Sequence, residues 1–530
     1  MAKPGDRPRT LAIVLGDQLD HGSAVFDDLD PTKDAIWMAE VEAETRGAHR
    51  RRIALFLAAM RHRRAELEAE GWRVHYHALG PDPAEDRGRT FAEVLEADAE
   101  RLRPERLRVV QPGDHRVLLE LRSAADALGV DLEVAPDRHF ICALSDFEAW
   151  AEGRKSLVLE HFYRHLRKRE GILLTDEGEP VGGQWNFDEA NRESFGADGP
   201  PPIPAPRAFA PDDVTQEVLD LVERRFADSP GRLDGFDLAV TREQAQAALD
   251  DFIESRLPRF GTFQDAMWDE EPFLYHARLS YLLNLKLLDP RDCVARAVQA
   301  HADDAAPLAA VEGFVRQILG WRELVRGIYW RMMPGYAERN ALDCDEDADV
   351  PAFYWTGDTD LECVRAAMTN VLDHGYAHHI QRLMVLGLFA QLLGVHPYRF
   401  HRWHMALYLD AIDWVSLPNA RGMSQDGDGG VIGTKPYCAS GAYIHRMSNH
   451  CRTCRYRPKA ATGDDACPFT TLYWDFLARH RERLSSNRRM GLQLRNVDRK
   501  KPAELEAIRA RAASLRERYV ERRSGAEPSP

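Results

Sequence analysis

The first apolar run, Leu11–Leu15 (LAIVL), is short, uninterrupted and stopped at once by Gly16-Asp17-Gln18. Such a run reads as a parallel strand buried on both faces, delivering a polar turn to a crevice at its carboxyl end. Ala35–Val41 reads as a second strand, and Trp72–Ala78, Arg106–Gln111 and Leu132–Ala135 as further strands. Between them the period changes. Across Arg51–Gly71, residues Ile53, Phe56, Leu57, Met60 and Leu67 recur near helical spacing, and Thr90–Leu102 and Arg116–Gly129 supply two more helices. Strand and helix alternating over residues 1–150 predict a doubly wound α/β domain, preceded by a loose stretch at 1–8.

Ser156–Glu170 is a basic, aromatic helix, and Gly182–Pro211, containing PPIPAP, is a loop dense in Gly and Pro. Residues 151–240 are therefore expected to be a long connector. From about residue 241 the pattern is helical, without convincing strands. Phe314, Ile318, Trp321, Leu324 and Ile328 form one apolar stripe, and Ile380, Met384, Leu388 and Leu392 another. An all-helical domain is expected over 241–522, with a disordered polar tail at 523–530.

Length and composition narrow the class. A chain of 530 residues, 44% hydrophobic and 29% charged, calls for two or three globular domains. No apolar run reaches the length of a membrane span, and the start, MAKPGDRPR, lacks the apolar core of a secretion signal, so a cytoplasmic protein is expected. In a reducing compartment, eight cysteines in so long a chain point to metal binding before disulfides. A formal charge of −15 argues against indiscriminate coating of nucleic acid, yet leaves room for a local basic groove.

Such a groove coincides with the cysteines. Cys451, Cys454 and Cys467 fall as C-x2-C-x12-C, followed by Pro468, and cysteine-then-proline is how bacterial iron–sulfur ligand runs end. Around them, residues 434–463 hold the cations Lys435, Arg446, Arg452, Arg455, Arg457 and Lys459 and no Asp or Glu, interleaved with Tyr437, Tyr443 and Tyr456. A fourth ligand is needed. Cys438, Cys363, His445 and His450 are the candidates, a histidine favouring tetrahedral zinc, and a set of reduced, uncoordinated thiols is the plain alternative.

Other residues suit a buried redox ring. His378 and His379 are adjacent on a helical stretch and so point about 100° apart, which leaves one of them structural. Arg382 follows one turn on, and LYLDAIDWVSLPN offers Asp410, Asp413 and Asn419. An Arg–Asp pair across two helices would fix charge beside a ring, and an Asn carbonyl could accept from a flavin N–H, although an ordinary interhelical salt bridge uses the same residues. Trp355, Trp403 and Trp414 are packing residues that could also relay electrons.

Taken in order, LGDQL, EGFVRQILGWRE, FYWTG, AHHIQRLM, SLPNARGMSQ, GTKPY, CRTCRY, ACPF and LYWDFLARHRERL resemble the photolyase/cryptochrome superfamily, in its bacterial iron–sulfur branch of prokaryotic (6-4) photolyases and cryptochrome-like proteins. The resemblance implies a Rossmann-like antenna domain and an all-α FAD-binding domain with a four-cysteine iron–sulfur site. It implies a [4Fe–4S] cluster on Cys363, Cys451, Cys454 and Cys467, with Cys438 a bystander, and a 6,7-dimethyl-8-ribityllumazine antenna at Gly16, Asp17, Gln18 and Glu44. FAD would lie against Leu279, Ser280, Arg382, Asp410 and Asn419, the last facing flavin N5, and Trp403 and Trp355 would form the photoreduction path. His379 matches the proton donor of (6-4) photolyases, while Gln317 and Tyr437 match lesion-facing residues. Leu383 stands where eukaryotic enzymes carry a second histidine. The expected activity is light-driven reversal of (6-4) pyrimidine–pyrimidone photoproducts in UV-damaged DNA by a monomer, with a cryptochrome-type photoreceptor, or a colourless zinc-stabilised nucleic-acid-binding protein, as the rival readings.

Overall fold

A computed structural model describes residues 7–522. The tail expected at 523–530 and most of the loose start lie outside the described residues. Arg7 and Pro8 are held in place: Arg7 Nε donates to the Arg103 carbonyl, and the Pro8 carbonyl accepts from the Glu105 N–H.

Five parallel strands, β1 Thr10–Ile13, β2 Ala35–Ala39, β3 Val74–His77, β4 Arg106–Val110 and β5 Asp131–Ala135, form one sheet in the order β3-β2-β1-β4-β5. Leu11 of β1 stands opposite Ala35 on one side and Leu107 on the other, so β1 is central. Its continuous apolar run follows from burial on both faces. Leu11 and Ile13 join Trp37, Leu107 and Val109 in a core covered by helices Phe91–Leu102 and His115–Leu128. Ala12 and Val14 face the other way, with Ile36 and Met38, into a core shared with helix Arg50–Ala69 and the helical region.

Residues 151–240 carry more structure than a connector. Helix Leu159–Glu170 packs on Arg316–Arg322 of the helical region, and helix Asp213–Arg225 packs on Arg50–Ala69, where Arg225 and Asp86 form a buried ion pair. The remainder is helical except for a two-residue antiparallel pairing of Ala348–Asp349 with Glu521–Arg522. Among the described residues no helix is long and apolar enough to cross a membrane.

The two halves meet tightly at Gly113, just beyond β4. The Trp414 N–H donates to the Gly113 carbonyl at 3.0 Å. A Cβ at position 113 would collide with Asp17 Oδ2 and come within 2.6 Å of Ile412 Cγ2, so only glycine permits this approach.

Candidate functional site

The carboxyl ends of β1 and β2 open into a pocket between the two halves, enclosing about 740 Å³ with open solvent included. This is the crevice a doubly wound sheet offers a ligand, and its size suits one. Gly16, Asp17 and Glu44 line it, joined by Phe56, Met60 and Asp114 of the same domain. Gln18 does not: its amide donates to the Val110 and Gln111 carbonyls at 3.0 and 3.2 Å, satisfying the end of β4. Met405, Ile412 and Asp413 of the helical region complete the wall, a contribution invisible from the strand pattern.

Charge in this pocket is arranged in partners. Arg116 donates to Glu44 Oε1 at 2.6 Å and to Asp114 Oδ2 at 3.4 Å. Burial pushes the Asp17 carboxyl up to about 6 against the opposing pull of Lys286. Asp114 is pushed up to about 7 by burial, with the negative charge of Asp413 adding to it. Asp413 accepts from the Tyr329 hydroxyl at 2.5 Å and sits 3.0 Å from His401 Nε2.

Of the two aspartates that LYLDAIDWV offers, Arg382 takes Asp410. Its Nη1 and Nη2 reach Oδ1 and Oδ2 at 2.9 and 3.2 Å, and its Nε donates to the Ala377 carbonyl at 2.6 Å. Burial alone would raise the Asp410 carboxyl, but the Arg382 charge, with hydrogen bonds from Arg382 and Ser280, holds it below the usual range. Leu279 is buried beside Ser280, and Asn284 Nδ2 donates to the Asp410 carbonyl at 2.7 Å. The Arg382 guanidinium also lies 3.9 Å from the Tyr408 ring centroid. Tyr408, which periodicity gave no reason to choose, has a buried hydroxyl with no hydrogen-bond partner.

Three expected site residues share a local device. Gln317 lies in Arg316–Arg322, Arg382 in Arg382–Gly387 and Asn419 in Pro418–Ser424, and all three stretches are wide π-type turns within longer helices. Such turns offset side chains from the regular helical face and recur at functional sites. Asn419 Nδ2 donates to the Val415 carbonyl at 2.7 Å, which fixes the plane of its amide.

His378 and His379 separate in an unexpected way. His378 is extended, at φ −70° and ψ 161°, and precedes the helix that begins at His379. Its buried ring stacks on His276 with centroids 4.4 Å apart. His379 is accessible to solvent, and the surrounding protein, with the Arg382 charge, pushes it down to about 4. Leu383 is buried.

Trp403 is fully buried. Its Nε1 donates to the Tyr354 carbonyl at 2.8 Å, and its ring contacts those of Tyr354 and Tyr408 at 5.0 and 5.7 Å. Trp355, next to Tyr354 in the chain, is half-buried, and the ring contacts run from Tyr408 beside Arg382 through Trp403 to Tyr354. Trp414 belongs elsewhere, edge-on to Phe140 at the junction of the two halves. Gln317 is exposed on an otherwise buried turn, and Tyr437 is half-buried. Asp188 relates them: it pairs with Arg316 at 3.3 Å, and after burial it is the strongest influence raising the Tyr437 phenol.

Cys363, Cys451, Cys454 and Cys467 line one small cavity with His450, Gly441 and Tyr456, whereas Cys438 and His445 do not reach it. Helix Glu362–His374 brings Cys363 to the three later cysteines. Burial raises the Cys363 thiol well above its ordinary value, and the Cys467, Cys451 and Cys454 sulfurs raise it further. Burial likewise lifts Cys451 to about 12 and Cys467 to about 11. A Cβ on Gly441 would stand 2.7 Å from Cys467 Sγ, a constraint with no sequence signal. Among the described residues no three or more His, Cys, Asp or Glu side chains form a site for a single metal ion.

The basic segment is less free than its sequence suggests. Arg455 pairs with Asp360 at 3.3 Å, Arg457 Nη2 donates to Asp465 Oδ1 at 2.7 Å, and Arg452 Nη1 donates to the Ala197 carbonyl at 3.0 Å. Two of these partners, Asp360 and Ala197, come from distant parts of the chain.

A family model described as deoxyribodipyrimidine photo-lyase-related protein matches residues 12–238. A (6-4) photolyase of Agrobacterium fabrum is 46% identical over 509 residues, which cover 95% of this chain and 98% of that protein. Two solved structures share the fold. One is a bacterial class III photolyase from Agrobacterium tumefaciens, with a TM-score of 0.54 and 14% identity over 98% of this chain and 99% of that one. The other is a cryptochrome from Synechocystis sp. PCC6803, with a TM-score of 0.51 and 12% identity over 83% and 89%.

Proposed function

The chain belongs to the deoxyribodipyrimidine photo-lyase-related family, and from that premise we propose that it is a (6-4) photolyase, which uses light to reverse (6-4) pyrimidine–pyrimidone photoproducts in UV-damaged DNA. The observation that carries the reading is identity to a (6-4) photolyase over nearly the whole chain, joined to a buried Arg382–Asp410 pair beside His379.

The residues suit the expected groups. FAD fits the surroundings of Arg382, Asp410, Ser280, Leu279 and Asn419, where the Tyr408 hydroxyl lacks a partner; on absorbing light, the bound reduced flavin would supply the electron that opens the lesion. Arg382 would set positive charge beside the ring, with Asp410 fixing its orientation through two hydrogen bonds. The pocket at the strand ends, with Asp17 and Glu44 on its polar side and Phe56 and Met60 on its apolar side, suits a ribityl-substituted lumazine antenna. Four thiols around a cavity suit a polynuclear [4Fe–4S] cluster better than zinc, which draws each sulfur to about 2.3 Å from one centre.

A damaged base stacks poorly, so turning it out of the duplex towards Gln317 and Tyr437 costs little. Phosphates beside Lys435 would orient the strand. His379 would hold the proton that passes to the lesion. The protein alone depresses its affinity for that proton, and the negative charge of bound DNA would raise it.

Illumination of the purified protein with DNA carrying a (6-4) photoproduct tests the proposal: restored pyrimidines are expected, and a photoreceptor would leave the lesion intact. His379→Ala should lower repair by ~10²–10⁴-fold while flavin absorbance is retained, and unimpaired repair would remove His379 from its role.

A further inference from the structure

His450 is the one group on the wall of the thiol cavity whose polar atoms are unaccounted for. The other polar side chains there are the four cysteines and Tyr456, and the Tyr456 hydroxyl is already committed to Asp360 Oδ2 at 2.7 Å. The His450 ring is 3% exposed, and neither Nδ1 nor Nε2 has a hydrogen-bond partner. A neutral imidazole must carry one N–H, and a buried donor without an acceptor opposes folding. Nor is the ring free to swing towards water. It begins the short turn His450–Arg452, and the chain before it is tied on both sides: Asn449 Oδ1 accepts from the Asp269 N–H at 2.8 Å, and the Met447 carbonyl accepts from the Met267 N–H at 2.8 Å.

The cavity it lines holds four thiols, and the one charge acting on the ring, that of Asp269, lies outside that wall. With four thiols already available as ligands, it is not needed to complete a coordination set. We propose that His450 is a positioning residue whose ring N–H donates a hydrogen bond to a sulfur of the cluster, either a cysteine thiolate or a bridging sulfide. The inference rests on the reading that Cys363, Cys451, Cys454 and Cys467 hold an iron–sulfur cluster. Reduction adds negative charge to the sulfurs, and a donor aimed at them stabilises the reduced form most, so the bond raises the reduction potential.

The test uses the full chain purified without oxygen, in unmodified form and as His450→Leu and His450→Gln. Each is measured for iron and acid-labile sulfide, for midpoint potential by titration followed by electron paramagnetic resonance, and for exchangeable-proton couplings in the reduced state. His450→Leu is expected to keep its iron, shift to a more negative potential and lose one strong exchangeable-proton coupling. His450→Gln, whose amide can still donate, should recover part of both. An unaltered potential and spectrum in His450→Leu would overturn the proposal, as would loss of iron from both variants, which would make the imidazole a ligand or a structural prop. If His450→Leu alone loses iron and His450→Gln retains it near the unmodified potential, the hydrogen-bond role stands. Absence of iron and sulfide from the unmodified protein would instead defeat the cluster reading itself.

Discussion

The pocket at the strand ends and the cavity among the cysteines differ in what lines them. The pocket carries Asp17, Glu44, Arg52, Asp114 and Asp413, and three of these acids have partners: Arg116 serves Glu44 and Asp114, and Tyr329 and His401 serve Asp413. The cavity carries no Asp, Glu, Lys or Arg, and holds four crowded thiols and an imidazole without a partner. Most of the pocket's acids are therefore paired before any ligand arrives. The cavity has unmet requirements, so its surroundings should depend far more on what fills it.

Four experiments press on that difference. On the proposed cluster, the largest effect is expected from Cys363→Ala, which should abolish iron binding and destabilise the C-terminal part of the helical region by roughly 3–5 kcal/mol, because a cluster joining helix Glu362–His374 to the later cysteines would close a long loop. Thermal unfolding beside iron analysis measures it, and an unchanged melting temperature would erase the contrast. Next come the paired substitutions Gly441→Ala and Gly113→Ala. The first presses a methyl group against Cys467 Sγ and should cost both iron and stability; the second forces the two halves apart and should cost about 1–3 kcal/mol with iron retained.

A smaller effect is set by pH. Asp114 takes its proton more readily in the folded protein, up to about 7, than in the unfolded chain, so between about pH 4 and 7 the folded state binds more protons and stability declines as pH rises. Asp114→Asn should flatten that decline in denaturant titrations from pH 4 to 8, and a variant with the parent's slope would place its origin elsewhere. The smallest effect concerns salt. Lys435→Ala should lower the salt dependence of DNA binding by about one phosphate contact, whereas Arg455→Ala, starting from an arginine already shared with Asp360, should change it less.

Much of the architecture was readable because it is written in short-range pattern. All five strands overlap stretches readable as strands between helical segments, and the two-sided burial of β1 follows from LAIVL alone. The segment 151–240 was harder. Its loop composition masked helix Asp213–Arg225, whose apolar side acquires meaning only against Arg50–Ala69. Candidate residues divide in the same way. The residues alone offered Arg382 either Asp410 or Asp413; the resemblance favoured Asp410, and the two hydrogen bonds are made there. Gln18 stood in the expected polar turn, yet its amide is consumed by the end of β4, a strand far along the chain.

By itself, then, the amino-acid order determined where chain direction and burial alternate, the kind of domain at each end, and the cysteine spacing, since periodicity and spacing are properties of neighbours in the chain. Tertiary structure alone decided that Met405, Ile412 and Asp413 wall a pocket built on another domain, that acids from outside residues 434–463 occupy two arginines of that basic segment, that Gly113 and Gly441 admit no side chain, and that His450 lines the thiol cavity with both ring nitrogens unpartnered. Those facts depend on groups far apart in the chain sharing a few ångströms, and on which buried polar atoms are left without partners when they do.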